Sequence, residues 1–331
     1  MKVLITGAAG FVGSTLATRL VEDPGIEKVI GIDSLTDYYD PAIKTSNVAV
    51  LQEYPKFEFL QSDLNTTDLD GVLDGVNVIY HQAGQPGVRK SWGASFDSYL
   101  SANVASTQRL LEAARNHSEM VRFIYASSSS VYGNSESYPT SEDTLPRPYS
   151  PYGVTKLAAE HLVSLYANNY GVPTVSLRYF TVYGPHQRPD MGMHRFISRA
   201  LNGDPIDIYG DGNQVRDFTY VDDVVRANIA AGAAQDIDPG LVVNICGGST
   251  VTVNEVLDTI EDEVGKPLNR NHMPNIAGDV RKTAGTNDLA AATIGWTPEV
   301  GIREGLARHI EALSRGAECI AQRRPELSPP M

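Results

Sequence analysis

TGAAGFVG, at residues 6–13, follows a short apolar run and opens a helical pattern. Its three glycines permit a tight turn, the close approach of a pyrophosphate to the backbone, and close packing of the helix on the strand. The free N–H groups and partial positive charge of the helix N-terminus also favour a phosphate. The alternative is a turn whose glycines serve packing only. We interpret the motif as a dinucleotide-binding turn, with candidate cofactor contacts at Gly7, Gly10, Phe11, Val12 and Gly13.

A carboxylate at the end of the second predicted strand indicates which dinucleotide binds. Asp33 lies twenty residues after Gly13, where an acidic residue accepts hydrogen bonds from the adenosine ribose hydroxyls. Its charge repels a 2′-phosphate, and no arginine neighbours it in the sequence, so NAD is favoured over NADP. Further candidate contacts follow the third and fourth predicted strands: Asp63 and Leu64 beside the adenine, and Gln82, Ala83 and Gly84 at the crevice.

A second motif, SPYGVTK at residues 150–156, marks the start of a helix. Serine is a favoured N-cap and proline a favoured first helical residue, so Tyr152 falls in the first turn and Lys156 one turn later on the same face. An ammonium beside a phenol favours the phenolate, but lowering the phenol pKa from about 10 to near neutrality requires about 4 kcal/mol. A second positive group is therefore expected near Tyr152. The alternative is an exposed tyrosine and lysine on an ordinary helix.

Length and composition limit the classes of protein to consider. The chain has 331 residues, of which 42% are hydrophobic and 20% charged, which favours a globular protein with two lobes. No apolar run reaches the length of a membrane span, and the N-terminal run is too short for a signal peptide. A net charge of −13 argues against nucleic acid as a partner. Two cysteines give neither a disulfide framework nor a cysteine-based metal site, so we expect no metal and a reducing, cytoplasmic location.

Short apolar runs alternate with helical patterns through the first half of the chain. This alternation predicts a parallel sheet covered by helices on both faces, an α/β doubly wound fold. Longer helices are predicted at Phe96–Arg115, Pro151–Asn169, Val253–Val264 and Ile302–Ala317. The predicted strands are Val3–Thr6, Lys28–Ile32, Phe57–Leu60, Asn77–His81, Val121–Ala126, Pro173–Arg178 and Leu241–Cys246.

Together these motifs resemble the extended short-chain dehydrogenase/reductase family, over nearly the whole chain. TGxxGxxG, HxAG, the serines before Val131-Tyr132-Gly133, YxxxK and Arg216-Asp217 occur in the family's order. The resemblance implies a Rossmann domain at residues 1–180, rejoined by 214–245, and a smaller substrate domain at 181–213 and 246–331. It also implies a tightly held NAD and a nucleotide-activated sugar as substrate.

The same resemblance assigns roles to individual residues. Tyr152 is the implied general base, and Lys156 binds the nicotinamide ribose and lowers the tyrosine pKa, with the positive nicotinamide as the second cation. Ser128 matches the catalytic serine or threonine and bonds the sugar 4-hydroxyl. Tyr179 is an implied cofactor contact, and Asn103 matches an asparagine that could be structural.

The two residues after Ser128 distinguish the reactions of the family. Sugar 4,6-dehydratases of this family carry Asp-Glu there, because elimination needs a proton donor and a base. Uronate decarboxylases of the family carry glutamate at the second position. Here both are serine, Ser129 and Ser130, so both readings lose support. Epimerisation remains: carbon 4 is oxidised, the 4-keto sugar turns about its link to UDP, and the same hydride returns to the other face.

Two further segments resemble UDP-glucuronate 4-epimerases: GVRKS after the fourth strand and RYFTVYGPHQRPDM at residues 178–191. A uronate carboxylate must be hydrogen-bonded when it leaves water. UDP-glucuronate is therefore the favoured substrate, with UDP-glucose or UDP-galactose, an N-acetylhexosamine and a pentose as alternatives. The candidate donors to the carboxylate are Ser127, Ser128, Ser129, Thr181 and Arg188.

The resemblance also implies contacts for the rest of the nucleotide sugar. Arg216 matches the diphosphate-binding arginine, Arg281 is a second phosphate candidate, Asp279 meets a uridine ribose hydroxyl, and Arg89 faces either cofactor or sugar. The helices at 96–115 and 151–169 resemble those of the family's dimer interface, which implies a homodimer. Competing readings are an NAD-binding scaffold without turnover and a net reductase that uses free NADPH.

Overall fold

A computed structural model of the protein describes residues 1–135, 137–274 and 280–322. Its main feature is a seven-stranded sheet with the order β10-β6-β5-β4-β1-β2-β3, in which every neighbouring pair is parallel. The strands are β1 Lys2–Thr6, β2 Lys28–Asp33, β3 Phe57–Gln61, β4 Val78–His81, β5 Arg122–Ser128, β6 Thr174–Tyr179 and β10 Leu241–Ile245.

Strand order reverses beside β1, whose two neighbours are β2 and β4. The crevice outside the carboxyl ends of strands at such a reversal is where doubly wound sheets bind ligands. The seven predicted strands are all present, and their boundaries differ from the prediction by one or two residues.

Helices cover both faces of this sheet, which confirms the predicted doubly wound fold. Val3 and Ile5 of β1 pack into one core with residues of α1 and α8, whereas Leu4 points to the opposite core with residues of α3, α5 and α6. This is the alternation expected of a strand buried on both sides. The helices are α1 Phe11–Glu22, α2 Pro41–Leu51, α3 Leu69–Leu73, α4 Phe96–Tyr99, α5 Ser106–Ala114, α6 Pro151–Tyr170, α7 Gly192–Asn202, α8 Val221–Ala233, α9 Val253–Val264, α10 Asp288–Ile294 and α11 Ile302–Gln322.

The predicted helix at Phe96–Arg115 contains a local irregularity. Between α4 and α5 the chain makes a wider, π-helical turn at Leu100–Ala105. Such turns occur mainly as single insertions in helices, often at functional sites. Here the turn carries Asn103, whose side chain is buried against the cavity described below.

The remaining strands form two small sheets outside the large one. β9 (Val215–Tyr220) lies between β7 (Thr181–Tyr183) and β11 (Thr250–Thr252), and β8 (Ile206–Tyr209) pairs with β12 (Arg270–Met273). The chain therefore leaves the large sheet after β6, builds β7, β8 and β9, and returns to the sheet edge as β10.

Candidate active site

A cavity of about 410 Å³ opens at the carboxyl ends of β1, β2 and β4, where the strand order reverses. Its wall is formed by the glycine-rich turn on one side and the start of α6 on the other. The structure thus brings the predicted cofactor residues to one place: Gly7, Gly10, Phe11, Val12, Gly13, Asp33, Asp63, Leu64, Gln82, Ala83, Gly84, Tyr152, Lys156 and Tyr179, together with Ser127 and Arg188.

The glycine-rich turn has no room for side chains. Gly7 has a φ of +69°, and a Cβ there would lie 2.8 Å from the Ala83 nitrogen. A Cβ on Gly13 would lie 2.1 Å from the Gly7 oxygen. Helix α1 starts after Gly10 with neither a capping side chain nor an acidic residue in its first turn. Its first N–H groups are therefore available to an anion such as a pyrophosphate.

Asp33 fixes the turn and borders the cavity. Its carboxylate accepts hydrogen bonds from the backbone N–H groups of Ala9, at 3.2 Å, and Leu35, at 2.8 Å. A carboxylate has further acceptor positions, so ribose hydroxyls can still bind to it. Together with the cradle at Gly7 and Gly13, this arrangement fits an NAD molecule with its ribose at Asp33 and its pyrophosphate over α1.

The sequence analysis missed an aromatic and basic segment beside Asp33. Tyr38, Tyr39 and Lys44 all line the cavity. The Lys44 ammonium is held by the carbonyl and the hydroxyl of Thr36, both at 2.9 Å, and lies 4.8 Å from the centre of the Tyr39 ring. The sequence signal is DYYDP at residues 37–41. Asp40 and Pro41 indicate the start of a helix, but the segment has no periodicity that would predict that its tyrosines face the cavity.

The predicted helix start at Ser150–Pro151 is confirmed, and it sets the geometry of the catalytic candidates. The Ser150 hydroxyl accepts the Gly153 N–H at 3.1 Å, and Pro151 is the first residue of α6. Ser128, which ends the neighbouring strand β5, lies near Tyr152 and lowers the pKa of its phenol. A phenol that lines this cavity, with a hydroxyl nearby, can exchange a proton with a bound alcohol.

Electrostatics at Tyr152 differ from the prediction in one respect. Burial raises the pKa of the Tyr152 phenol, and the nearby Ser128 hydroxyl and the charge of Arg188 only partly oppose this. Arg188 is a cation that acts on the phenol, whereas the sequence analysis assigned the role of second cation to the nicotinamide. The protein's own groups do not bring the pKa below its ordinary value, because desolvation of the phenolate outweighs them.

Lys156 lies one turn after Tyr152, as predicted, and is 6% exposed. Its ammonium sits 4.4 Å from the centre of the Tyr125 ring. Burial lowers the pKa of Lys156 to about 7, while the charge of Glu160 opposes this shift. At neutral pH a lysine with this pKa exchanges readily between its charged and neutral forms.

Asn103 holds two parts of the site together. Its amide oxygen accepts the Gln85 N–H at 2.6 Å, and its amide nitrogen donates to the Gln85 carbonyl at 3.1 Å and to the Thr155 hydroxyl at 2.9 Å. The loop after β4 is thereby fixed to the helix that carries Tyr152 and Lys156. These contacts agree with the structural role considered for this asparagine.

Gln82 and Tyr179 form a hydrogen-bonded group with Asn228 of α8. The Tyr179 hydroxyl lies 3.1 Å from the Gln82 amide oxygen and 3.0 Å from that of Asn228, and the Gln82 amide donates to Asn228 at 2.9 Å. Gln82 and Tyr179, both predicted to contact the cofactor, thus line the cavity, and their polar groups hydrogen-bond each other and Asn228. Burial raises the pKa of the Tyr179 phenol, so it stays protonated.

Arg188 lies in the cavity and is paired with a neighbouring carboxylate. Its Nε and Nη2 bond the two oxygens of Asp190 at 2.9 and 3.0 Å, and its guanidinium lies 5.7 Å from the centre of the Tyr38 ring. The side chain is 15% exposed. A substrate carboxylate that binds here must use the remaining N–H groups of the guanidinium or displace Asp190.

The four serine and threonine candidates occupy different positions. Ser127 is buried and donates its hydroxyl proton to Glu160 at 2.5 Å. To serve as a donor to a sugar carboxylate, it would have to exchange this hydrogen bond. Ser128 ends β5, Ser129 begins the 3₁₀ turn that follows, and Thr181 begins β7.

The predicted contacts to the nucleotide lie on the side of the small sheets. Arg89 stacks 5.0 Å from the Tyr209 ring of β8, so it lies toward that side. Arg216 is on β9, where it donates to the Val215 carbonyl and acts on the nearby Tyr138 phenol. The Arg281 side chain is 86% exposed, 4.0 Å from an Asp211 oxygen. Asp279 lies outside the described residues.

In residues 1–135, 137–274 and 280–322 no cluster of histidine, cysteine and acidic side chains could hold a metal ion. Within the same ranges, no helix has both the length and the apolar composition needed to cross a bilayer.

Comparison with known proteins identifies the family. Residues 3–246 match the model of the NAD dependent epimerase/dehydratase family. The chain belongs to this family. A family member from Bacillus subtilis (strain 168), YtcB, carries the name uncharacterized UDP-glucose epimerase and is 43% identical over 314 residues, covering 95% of this chain and 98% of that protein. A probable UDP-glucuronate 4-epimerase from Rhizobium meliloti (strain 1021) is 38% identical over 332 residues, covering 94% of this chain and 96% of the relative.

A solved member of the family has the same fold over its whole length. The UDP-glucuronic acid 4-epimerase of Bacillus cereus, in complex with UDP-glucuronic acid and NAD, superposes with a TM-score of 0.92 at 41% identity. The match covers 95% of this chain and 99% of that one. The predicted resemblance to nucleotide-sugar epimerases is therefore confirmed.

Proposed function

We propose that this protein is an NAD-dependent 4-epimerase that interconverts UDP-glucuronate and UDP-galacturonate through a transient 4-keto sugar. One observation carries the proposal. Tyr152 and Lys156 share a cavity with the glycine cradle and Asp33, and Ser128 acts on the Tyr152 phenol. The 41% identical Bacillus cereus protein, whose structure contains UDP-glucuronic acid and NAD, supports the choice of substrate.

Each residue of the site has a part in the reaction. Tyr152 takes the proton of the sugar 4-hydroxyl and later returns it, and Ser128 hydrogen-bonds the same oxygen. Lys156 supplies a positive charge one turn away on α6, which favours the phenolate. Bound NAD supplies the acceptor, and later the donor, of the hydride at carbon 4. Ser129 and Ser130 offer no carboxylate, so the site lacks at these positions the acid that elimination requires.

A uronate substrate imposes a further requirement on the site. A 4-keto uronate is a β-keto acid, and it loses carbon dioxide when the breaking bond aligns with the ketone π system. We propose that Thr181 and Arg188 hold the carboxylate out of this alignment, with Asp190 fixing the guanidinium through two hydrogen bonds. Arg188→Ala or Thr181→Ala should then raise the fraction of 4-keto pentose in the product. Purely epimeric products from both variants would exclude this role.

UDP-glucose is the second candidate substrate, because the 43% identical Bacillus subtilis relative is named a UDP-glucose epimerase. Separate incubations with UDP-glucuronate, UDP-glucose and UDP-N-acetylglucosamine, with products identified by NMR, decide between them. Conversion of UDP-glucuronate alone supports the proposal, and conversion of UDP-glucose alone replaces it with the second candidate.

The redox cycle has its own test. Deuterium at carbon 4 of the sugar should remain at carbon 4 when equilibrium is reached, because the same hydride returns. Loss of the label, or its transfer elsewhere, would exclude internal return. Partial conversion to bound NADH on adding UDP-sugar, seen by near-ultraviolet absorbance, would exclude a scaffold without turnover. A net reductase would instead consume free NADPH and release oxidised cofactor.

The remaining assignments complete the proposal. We propose that residues 181–213 and 246–331 form the substrate lobe. Arg281 of this lobe and Arg216 of β9 bind the diphosphate, and Asp279 binds the uridine ribose. We also propose a homodimer through α5 and α6, where Val154 and Leu165 are about half exposed. Light scattering of the purified protein tests the dimer. A cytoplasmic location stays a prediction from the two cysteines of the chain.

A further inference from the structure

Glu160 is a buried carboxylate that the mechanism above does not use. It lies on α6 four residues after Lys156, which is itself four residues after Tyr152, so the three side chains occupy one face of the helix. Glu160 is 2% exposed. A carboxylate at this depth is tolerated only when it is paired and hydrogen-bonded.

The carboxylate is held from both strands beneath α6. The Ser127 hydroxyl donates to Oε2 at 2.5 Å, and the Arg178 guanidinium donates to Oε2 at 3.0 Å and to Oε1 at 2.6 Å. Ser127 of β5 and Arg178 of β6 are register partners, so one rung of the sheet supplies all three donors. Arg178 is fixed in turn by the Tyr132 hydroxyl at 2.7 Å. The position of the charge under Lys156 is therefore rigid.

The groups around Lys156 give this charge a specific effect. Tyr125 of β5 lies under the ammonium, Tyr152 precedes it on α6, and His81 of β4 is buried, hydrogen-bonded to two threonines and uncharged at neutral pH. Glu160 is the negative group that acts on Lys156, and it raises the pKa of the lysine against the effect of burial. Without this carboxylate, the Tyr125 ring would still oppose the desolvation of the ammonium, but the charge of Glu160 would no longer do so.

We propose that Glu160 is a positioning residue that increases the fraction of Lys156 in its ammonium form beside Tyr152, and that the Ser127–Arg178 pair holds the carboxylate in place for this purpose. The consequence for turnover rests on the proposed function, since it concerns the Tyr152–Lys156 pair. The effect on Lys156 itself does not, because it is a property of the protein at any stage of a reaction.

The charge of Lys156 can be measured without turnover. The chain has eight lysines, so protein labelled with ¹³C at the lysine ε carbon gives few NMR signals, and Lys156→Met identifies the one from residue 156. We expect Glu160→Gln to lower the pKa of Lys156 by about one or more, the size expected for loss of a nearby opposite charge. An unchanged pKa would overturn the proposal.

Control variants separate this effect from damage to the fold. Tyr132→Phe removes one hydrogen bond to Arg178 but leaves the Glu160 charge, so it should lower thermal stability without moving the pKa of Lys156. Glu160→Asp keeps the charge and should largely restore the pKa. If Glu160→Gln does not fold, the Glu160→Gln/Arg178→Met double variant replaces the ion pair by a neutral one. Because that variant also loses the Arg178 cation, its Lys156 pKa is compared with that of Arg178→Met, and equal values would overturn the proposal.

A kinetic measurement links the charge to the proposed reaction. At pH 7, Glu160→Gln should reduce kcat about tenfold with KM for the UDP-sugar unchanged, because Glu160 lies beneath the cavity rather than on its surface. A drop in kcat that is equal at all pH values would oppose the proposal. If the wild-type protein converts no UDP-sugar, the proposed function fails, and the NMR measurement still decides the relation between Glu160 and Lys156.

Discussion

Replacing Gly13 by alanine tests whether the turn after β1 is a cradle for a cofactor. The new Cβ would lie 2.1 Å from the Gly7 oxygen and 2.8 Å from the Gly7 carbonyl carbon, both backbone atoms. Cβ contacts shorter than 3.0 Å essentially never occur in proteins, so the turn must open by about 1 Å. Overpacking of this kind costs about 1–3 kcal/mol.

The cost of overpacking at Gly13 should appear as a lower Tm and a lower NAD content. At about 2.1 cal/mol/K per residue, the unfolding entropy of a chain of this length is about 0.7 kcal/mol/K, so about 3 kcal/mol lowers Tm by about 4 °C. The same displacement moves the α1 N–H groups away from the pyrophosphate position. We therefore expect Gly13→Ala to lose most of its NAD on purification, measured by ultraviolet absorbance of the cofactor released on denaturation.

Gly192→Ala is the matched control. Gly192 also lies in the first turn of a helix, α7, but an added Cβ there meets nothing within 4 Å. This variant should keep its NAD content and its Tm. The reasoning is refuted if Gly13→Ala retains as much NAD as Gly192→Ala and melts within 1 °C of it.

Three more perturbations have defined outcomes. Asp33→Asn should reduce the ratio of Kd for NADP to Kd for NAD by about tenfold, because the repulsion of a 2′-phosphate is lost. A ratio from calorimetry that is unchanged from the wild type would contradict this. His81 and His309 are buried with pKa values lowered to about 3, so the unfolded chain takes up protons below about 6.5 and the folded chain does not. Stability to urea should thus fall by about 1.4 kcal/mol per histidine between pH 7.5 and 5.5, and a flat profile would exclude this coupling. Arg178→Met leaves the buried Glu160 carboxylate without its cation and should lower the free energy of unfolding in urea by about 3–5 kcal/mol. A loss under about 1 kcal/mol would mean that the carboxylate becomes protonated or hydrated.

The strands of the large sheet could be predicted because the residues that define each strand are adjacent in the sequence. Each strand is a short apolar run, and the turn residues Gly7 and Gly13 and the cap Ser150 act on their immediate neighbours. The cofactor candidates followed from the same logic, since they come directly after predicted strands. Strand ends of one parallel sheet meet at one edge, so position in the sequence was enough to place them together.

The contacts that the sequence did not reveal depend on register and on loop paths. Ser127 meets Glu160 because β5 and β6 pair with Ser127 opposite Arg178, which no sequence pattern specifies. Tyr38 reaches the cavity through a loop without periodicity. Arg188 was expected beside a sugar carboxylate, yet its first partner in the structure is Asp190, two residues away.

The late return of β10 to the large sheet has a consequence for engineering. Because β7, β8 and β9 precede β10 in the chain, no single cut separates the two regions. A chimera that takes its sugar specificity from another family member must replace two separate segments of the chain, one before β10 and one after it, and keep β10 itself. Ending the chain before β10 would uncover the edge of β6, which invites strand-to-strand aggregation of the shortened product.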